Sequence, residues 1–157
     1  MRSPVAAILY PGVGLLENAL SVGRGTDLPF QLVGAPYVND VTLAEELNAE
    51  GLPGIRFVPV TFTPSTSIHK GQLCRGVEMV VTDRSHLNSV EVGLVLAKTL
   101  FRLYPREFDP AKISHLLLHP QSLQAIKENQ PLEQIRALWQ PELDSFKERR
   151  QKFLLYH

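Results

Sequence analysis

A single cysteine, Cys74, stands among 157 residues, so no intrachain disulfide can form and no cysteine-rich zinc site can be assembled. Sixteen basic and sixteen acidic side chains leave no formal net charge, which removes the global field that would draw the chain to nucleic acid or to an anionic membrane. No apolar run approaches the roughly 20 residues needed to span a bilayer. The first residues, Met-Arg-Ser-Pro, lack the hydrophobic stretch and cleavage site of a signal peptide. Neither a nucleic-acid partner nor membrane insertion is therefore expected. The sequence also has no internal repeat, no P-loop with its lysine, no nucleophile elbow and no complete dinucleotide fingerprint. Its histidines, His69, His86, His115, His119 and His157, are scattered without ligand-like spacing, so no metal and no cofactor are expected. Cys74 precedes an apolar stretch and reads as packing, since thiol catalysis needs a low-pKa setting and a nearby base.

What is present is an ordinary globular composition, 44% hydrophobic and 20% charged, in a chain long enough to bury roughly two thirds of its unfolded surface. Residues 1–157 read as one domain. Residues 5–20 are mostly apolar and interrupted at Tyr10-Pro11-Gly12, which predicts a short element, a turn and a short helix. Residues 30–33 form a short strand candidate closed by Gly34, Ala35 and Pro36. Thr42 and Glu45 have capping-box spacing at the start of a helix that Gly51 ends. Residues 55–62 are rich in β-formers, and Pro59 pushes that strand to a sheet edge or a bulge.

Residues 63–76 hold Pro64, four hydroxyl side chains and Gly71, and predict a long loop of the kind that is often functional. A strand follows over 77–82. Asn88 then caps, through Glu91, an apolar core helix over 90–104. Pro110, Pro120, Pro131 and Pro141 each suit the first turn of a short helix. With strands before residue 85 and helices after 88, the fold class is α+β, a small mixed sheet packed by helices with a helical C-terminal third.

Chemistry concentrates in residues 21–30, Ser-Val-Gly-Arg-Gly-Thr-Asp-Leu-Pro-Phe. Gly23 and Gly25 let the backbone around Arg24 take positive φ and approach a bound group. The Arg24 guanidinium is a rigid fork suited to a carboxylate or phosphate, while Ser21, Thr26 and Asp27 can bond hydroxyls or orient that fork. The segment is read either as a polar ligand site or as a glycine-bulged strand end whose arginine pairs with Asp27. The polar loop, with Thr66 and Gln72, also adjoins a strand end, so the two segments could share one rim. Glycosidic acid–base chemistry needs two carboxyls roughly 5–10 Å apart. Glu17 and Asp27 are the nearest candidates, with Glu17 better suited to orienting or capping, so the residues by themselves describe a ligand-binding half.

In order along the chain come Tyr10-Pro11-Gly12 with Leu16-Glu17, Ser21-x-Gly-Arg-Gly-Thr26 with Pro29-Phe30, and Gly34-Ala-Pro36. Then follow Gly51-Leu-Pro-Gly-Ile-Arg-Phe57, Phe62-x-Pro64, Gly71-Gln72-x-Cys74-x-Gly76-Val77, Thr82-Asp83-Arg84, and Trp139 ahead of Phe146. This series resembles the C-terminal domain of the exo-β-N-acetylmuramidases, the NamZ-like glycoside hydrolases, over essentially the whole chain. One departure is visible: where the family has Glu-x-Thr-Asn before the serine, Glu17-Asn18-Ala19-Leu20 is a residue shorter and lacks the threonine.

The resemblance implies an auxiliary domain that completes a cleft with an N-terminal Rossmann-like catalytic domain of the same parent chain. It implies release of terminal N-acetylmuramic acid from peptidoglycan fragments during cell-wall recycling, by an extracytoplasmic parent. The catalytic glutamate would lie outside this chain, so no residue here is assigned a catalytic role, and Met1 need not be a native start. The substrate-binding set implied is Glu17, Ser21, Arg24, Gly25, Thr26, Asp27 and Gln72, with Arg24 reading the lactyl carboxylate of muramic acid. The other readings are a stand-alone, non-catalytic carbohydrate- or peptidoglycan-binding module, and an interaction domain whose glycine-arginine loop is only structural.

Overall fold

The computed structural model describes residues 3–154. Ser3 starts the first helix, α1 (Pro4–Val13), accepting a hydrogen bond from Ala6 N at 3.0 Å, with Pro4 in the first turn. The turn predicted at Tyr10-Pro11-Gly12 does not occur. Pro11 sits inside the helix on its exposed side, and the chain continues into a 3-10 turn, Gly14–Leu16. Burial overrides the local signal: Ala6, Leu9, Gly12 and Val13 are all in the core, and such packing outweighs the one backbone bond that proline removes. Gly12 is there for contact. A Cβ on it would lie 1.6 Å from Ser89 O, because α1 crosses the central helix backbone to backbone at this point and at Gly93.

Three strands form an antiparallel sheet in the order β1 (Leu32–Ala35), β3 (Cys74–Val81), β2 (Ile55–Phe62). The class is α+β as expected, but the sheet is antiparallel throughout rather than mixed. Pro59 lies on the edge strand opposite Val77, where its missing N–H interrupts no inner ladder. β3 begins at Cys74, three residues before the predicted start, because Arg75 and Gly76 pair with both neighbours. β1 begins at Leu32 instead of Phe30, since Phe30 takes a positive φ of 63° and belongs to the preceding loop.

Helix α2 (Asp40–Ala49) is capped by Asn39, not Thr42: the Asn39 side chain accepts from Thr42 N at 3.0 Å, which places Thr42 already within the first turn. Helix α3 (Ser89–Leu103) starts at Asn88, whose side chain accepts from Glu91 N at 3.3 Å and donates to the Glu91 carboxylate at 2.9 Å. Residues 91–100 are buried on every side of this helix, as expected for an element covered by α1, α2 and the later helices. Its buried charges are paired, Lys98 with Glu50 at 3.0 Å and Glu91 with Arg136 at 2.8 Å. Beyond α3 come a 3-10 turn (Pro110–Ile113), α4 (Ser114–Leu117), α5 (Pro120–Lys127), α6 (Leu132–Ala137) and α7 (Gln140–Gln151). Pro131 is the cap residue of α6 and not its first helical residue.

Candidate functional site

The Ser21 end of the glycine-arginine segment is stitched to the sheet. Ser21 N donates to Gly34 O at 3.1 Å and Gly34 N donates back to Ser21 O at 3.0 Å. Phe30 N returns to Val22 O at 2.8 Å, closing residues 22–30 into a compact loop. Thr26 builds its interior: its hydroxyl donates to Gly23 O at 2.7 Å and accepts from Leu28 N at 3.1 Å. Gly23 and Gly25 both have positive φ, 74° and 82°, a conformation that side-chain-bearing residues resist. The loop is thus held rigid, with Arg24 at its exposed turn.

Gly25 also makes the predicted meeting of the two segments. Its carbonyl accepts from Ser65 N at 3.0 Å and from the Ser65 hydroxyl at 2.8 Å. A Cβ at Gly25 would lie 2.4 Å from Thr66 N, so only glycine permits this approach. The 63–73 loop is itself tied, with Gly71 N donating to Pro64 O at 2.8 Å.

Between the two segments opens a groove of about 480 Å³ lined by Tyr10, Arg24, Gly25, Thr26, Pro29, Phe30 and Thr66. Its apolar wall is aromatic: Tyr10 and Phe30 meet edge to face with ring centroids 4.8 Å apart. Arg24 Cζ sits 4.8 Å from the Phe30 ring centroid, a cation–π contact. The Arg24 partner is Glu17 and not Asp27. Nε and Nη2 both donate to Glu17 Oε2, at 3.1 and 2.6 Å. A second groove of about 610 Å³ adjoins the first across Gly25, Thr26 and Thr66, and Asp27 lies on that side with Phe62, Thr63 and Ser65.

Of the residues singled out from the sequence, Arg24, Gly25 and Thr26 line the first groove, Asp27 lines the second, and Glu17 holds Arg24. Ser21 lines neither; it is buried and its hydroxyl has no hydrogen-bond partner. Gln72 is exposed on the 63–73 loop and lines neither groove; its backbone N donates to His69 O at 3.0 Å. Burial pushes the His69 imidazole below its usual range, with the Gln72 contact acting in the opposite direction. Cys74 is buried, and burial pushes its thiol up, as suits a packing residue. Tyr10 and Phe30 were not assigned to the site from sequence. The false turn at Tyr10 hid the former, and an apolar strand start was the natural reading of the latter. Among the described residues no group of three His, Cys, Asp or Glu side chains lies close enough to hold a metal, and no helix is long and apolar enough to cross a membrane.

The groove combines an aromatic floor, a paired guanidinium and threonine hydroxyls, a set of groups suited to a polar ligand with one apolar face. Residues 8–156 match the family model described as "Exo-beta-N-acetylmuramidase NamZ, C-terminal". The chain is 37% identical over 160 aligned residues to the peptidoglycan beta-N-acetylmuramidase NamZ of Bacillus subtilis (strain 168), covering 99% of this chain and 39% of that relative. Among solved structures it is similar to a DUF1343 family protein from Bacteroides fragilis NCTC 9343, with a TM-score of 0.80 and 28% identity, over 98% of this chain and 43% of that one. A second DUF1343 family protein from the same organism superposes with a TM-score of 0.66 at 25% identity, covering 98% of this chain and 41% of the other. With the family model matched along nearly its whole length, the chain belongs to the C-terminal family of the exo-β-N-acetylmuramidase NamZ.

Proposed function

We propose that this chain is the substrate-cleft domain of a peptidoglycan exo-β-N-acetylmuramidase, the C-terminal part of a two-domain enzyme, and that its groove receives a terminal N-acetylmuramic acid. The observation that carries the reading is Arg24, held over the Phe30 ring at one side of an aromatic-walled groove. N-acetylmuramic acid bears a lactyl carboxylate that N-acetylglucosamine lacks, and a guanidinium fork matches a carboxylate in shape and charge. The apolar face of a pyranose ring suits the Tyr10 and Phe30 wall, and the Thr26 and Thr66 rim suits its hydroxyls.

Chemistry is assigned elsewhere. Glu17 is committed to Arg24, and Asp27 lies in the adjoining groove, so among the described residues no pair of carboxyls lines this groove for the acid and base roles of glycoside hydrolysis. The acid and base are assigned to an N-terminal Rossmann-like domain of an extracytoplasmic parent that acts in cell-wall recycling. The same lack of a carboxyl pair also suits the second reading, a stand-alone carbohydrate- or peptidoglycan-binding module. Hydrolysis by the longer parent, with none by this chain, favours the cleft-domain reading.

The test is calorimetric titration of the chain with N-acetylmuramic acid and with N-acetylglucosamine. The wild type binds the muramic sugar more tightly, and Arg24→Lys weakens that sugar by about tenfold or more, because lysine cannot reproduce a two-bond carboxylate contact. A folded Arg24→Lys chain with unchanged preference refutes the assignment.

A further inference from the structure

Resting on the carboxylate-reading role of Arg24, we infer that Glu17 is the positioning residue of the groove, acting through Arg24 and not on the ligand, and that it restricts the groove to a singly charged carboxylate. A guanidinium offers five N–H groups on two usable edges. Glu17 Oε2 occupies one edge completely, taking Nε at 3.1 Å and Nη2 at 2.6 Å. What remains is both N–H groups of Nη1 and one of Nη2, and one N–H from each nitrogen forms the parallel pair at the outer end of the fork. That end edge fits one carboxylate through two hydrogen bonds. Phe30, under the guanidinium at 4.8 Å, gives the fork a second contact beside Glu17. Glu17 reaches Arg24 from the end of the 3-10 turn that follows α1, an element packed into the core by Leu16. The clamp therefore stands on a rigid base, while Arg24 comes from the loop.

Two consequences follow from this arrangement. Without Glu17 the Arg24 side chain has to be ordered by the ligand, and ordering one long side chain lowers affinity about two- to tenfold. With Glu17 present, the Glu17–Arg24 pair has no net charge and Asp27 adds a negative charge on the neighbouring rim. A phosphate dianion would meet a groove with no surplus positive charge, whereas a monocarboxylate needs only the fork. The group that the fork takes is thus a carboxylate and not a phosphate.

The experiment compares wild type, Glu17→Ala and Glu17→Gln. Calorimetry measures N-acetylmuramic acid against N-acetylglucosamine, with inorganic phosphate as competitor, and NMR follows the Arg24 Nε–H signal in the ligand-free chain. Glutamine keeps an oxygen to accept from the fork but loses the charge. Expected in Glu17→Ala is a two- to tenfold fall in the preference for the muramic sugar and loss of the sharp Nε–H signal. Glu17→Gln keeps the signal and the preference, and phosphate begins to compete in it while failing to compete in the wild type. An unchanged or tighter muramic interaction in Glu17→Ala overturns the inference, because Glu17 would then be idle or a competitor of the ligand. Displacement by phosphate in the wild type overturns the charge argument. A wild-type chain with no preference between the two sugars refutes the Arg24 reading itself. In that case Glu17 is judged on the ligand-free spectrum: a signal lost in Glu17→Ala and kept in Glu17→Gln supports positioning, and a signal indifferent to both overturns it.

Discussion

Replacing Gly25 by alanine tests the junction on which the groove depends. Gly25 has φ of 82°, and an L-residue held in the left-handed region costs about 1–2 kcal/mol. The added Cβ would stand 2.4 Å from Thr66 N, 2.7 Å from the Thr66 hydroxyl and 2.8 Å from Ser65 N. Two of those are backbone atoms that cannot swing aside, so the 63–73 loop has to withdraw. Withdrawal stretches the bonds from Ser65 N and the Ser65 hydroxyl to Gly25 O, each worth about 0.5–1.5 kcal/mol. Strain and lost bonds together come to about 3 kcal/mol, or roughly 6–12 °C in Tm for a chain of this size. Gly51→Ala is the control. Its φ of 66° carries the same conformational cost, but no atom lies within 4 Å of the added methyl. Scanning calorimetry should therefore find Gly25→Ala less stable than Gly51→Ala by about 1–3 kcal/mol, and titration should find its sugar affinity reduced because Thr66 leaves the groove. Equal losses in the two variants would refute the reasoning, since strain alone would then account for both.

Gly12→Ala should destabilise the chain by about 2 kcal/mol or more despite the better helix propensity of alanine, since its methyl would overlap Ser89 O across the α1–α3 crossing; urea denaturation reads this directly. Tyr10→Ala should weaken sugar binding while costing little stability, because the ring is 40% exposed, and Tyr10→Phe should retain the binding; calorimetry on the two variants separates the wall from the hydroxyl. Tyr37 has its phenol pushed up to about 12, chiefly by burial and secondarily by the Glu107 charge, above the unfolded value near 10. Its folded form keeps the proton while the unfolded form loses it, so this contribution to stability is complete below pH 10 and is lost as pH rises to about 12. Tyr37→Phe should abolish that part of the alkaline slope and leave neutral stability unchanged or higher, because the Tyr37 hydroxyl is buried without a partner; denaturant midpoints at pH 7 and pH 11 check both points.

The elements legible in the sequence are those whose signal is local and repeated. Asn88 with Glu91 and a continuous apolar run marked α3 because cap and burial pattern agree there. Pro59 marked an edge strand because a missing donor can be tolerated only where no neighbour needs it. Illegible were the places where a tertiary contact outweighs a local rule. Tyr10-Pro11-Gly12 carries the signature of a turn, yet Gly12 is required for a helix crossing whose other half, Gly93, lies 81 residues away. At α2 the capping-box spacing of Thr42 and Glu45 pointed to Thr42, and only the folded backbone shows that Asn39 Oδ1 takes the Thr42 amide.

The site divides along the same line. Gly25 was readable because its role follows from what the residue is, a backbone without Cβ that lets the two segments meet. The pairing of Glu17 with Arg24 was not, since a carboxylate seven residues before an arginine can reach it only if the chain turns back between them. It turns back because Glu17 ends the 3-10 turn and Ser21 is bridged to Gly34. The misread turn at Pro11 had a further cost: Tyr10 meets Phe30 because α1 runs unbroken past it. The aromatic wall of the groove and the α1–α3 crossing are therefore products of one helix. A change at Gly12 that shifts α1 should move Tyr10 with it, so Gly12→Ala should weaken sugar binding as well as stability, although Gly12 does not line the groove. Binding unaltered in a Gly12→Ala chain that remains folded would show that the wall is set by Phe30 and its loop alone.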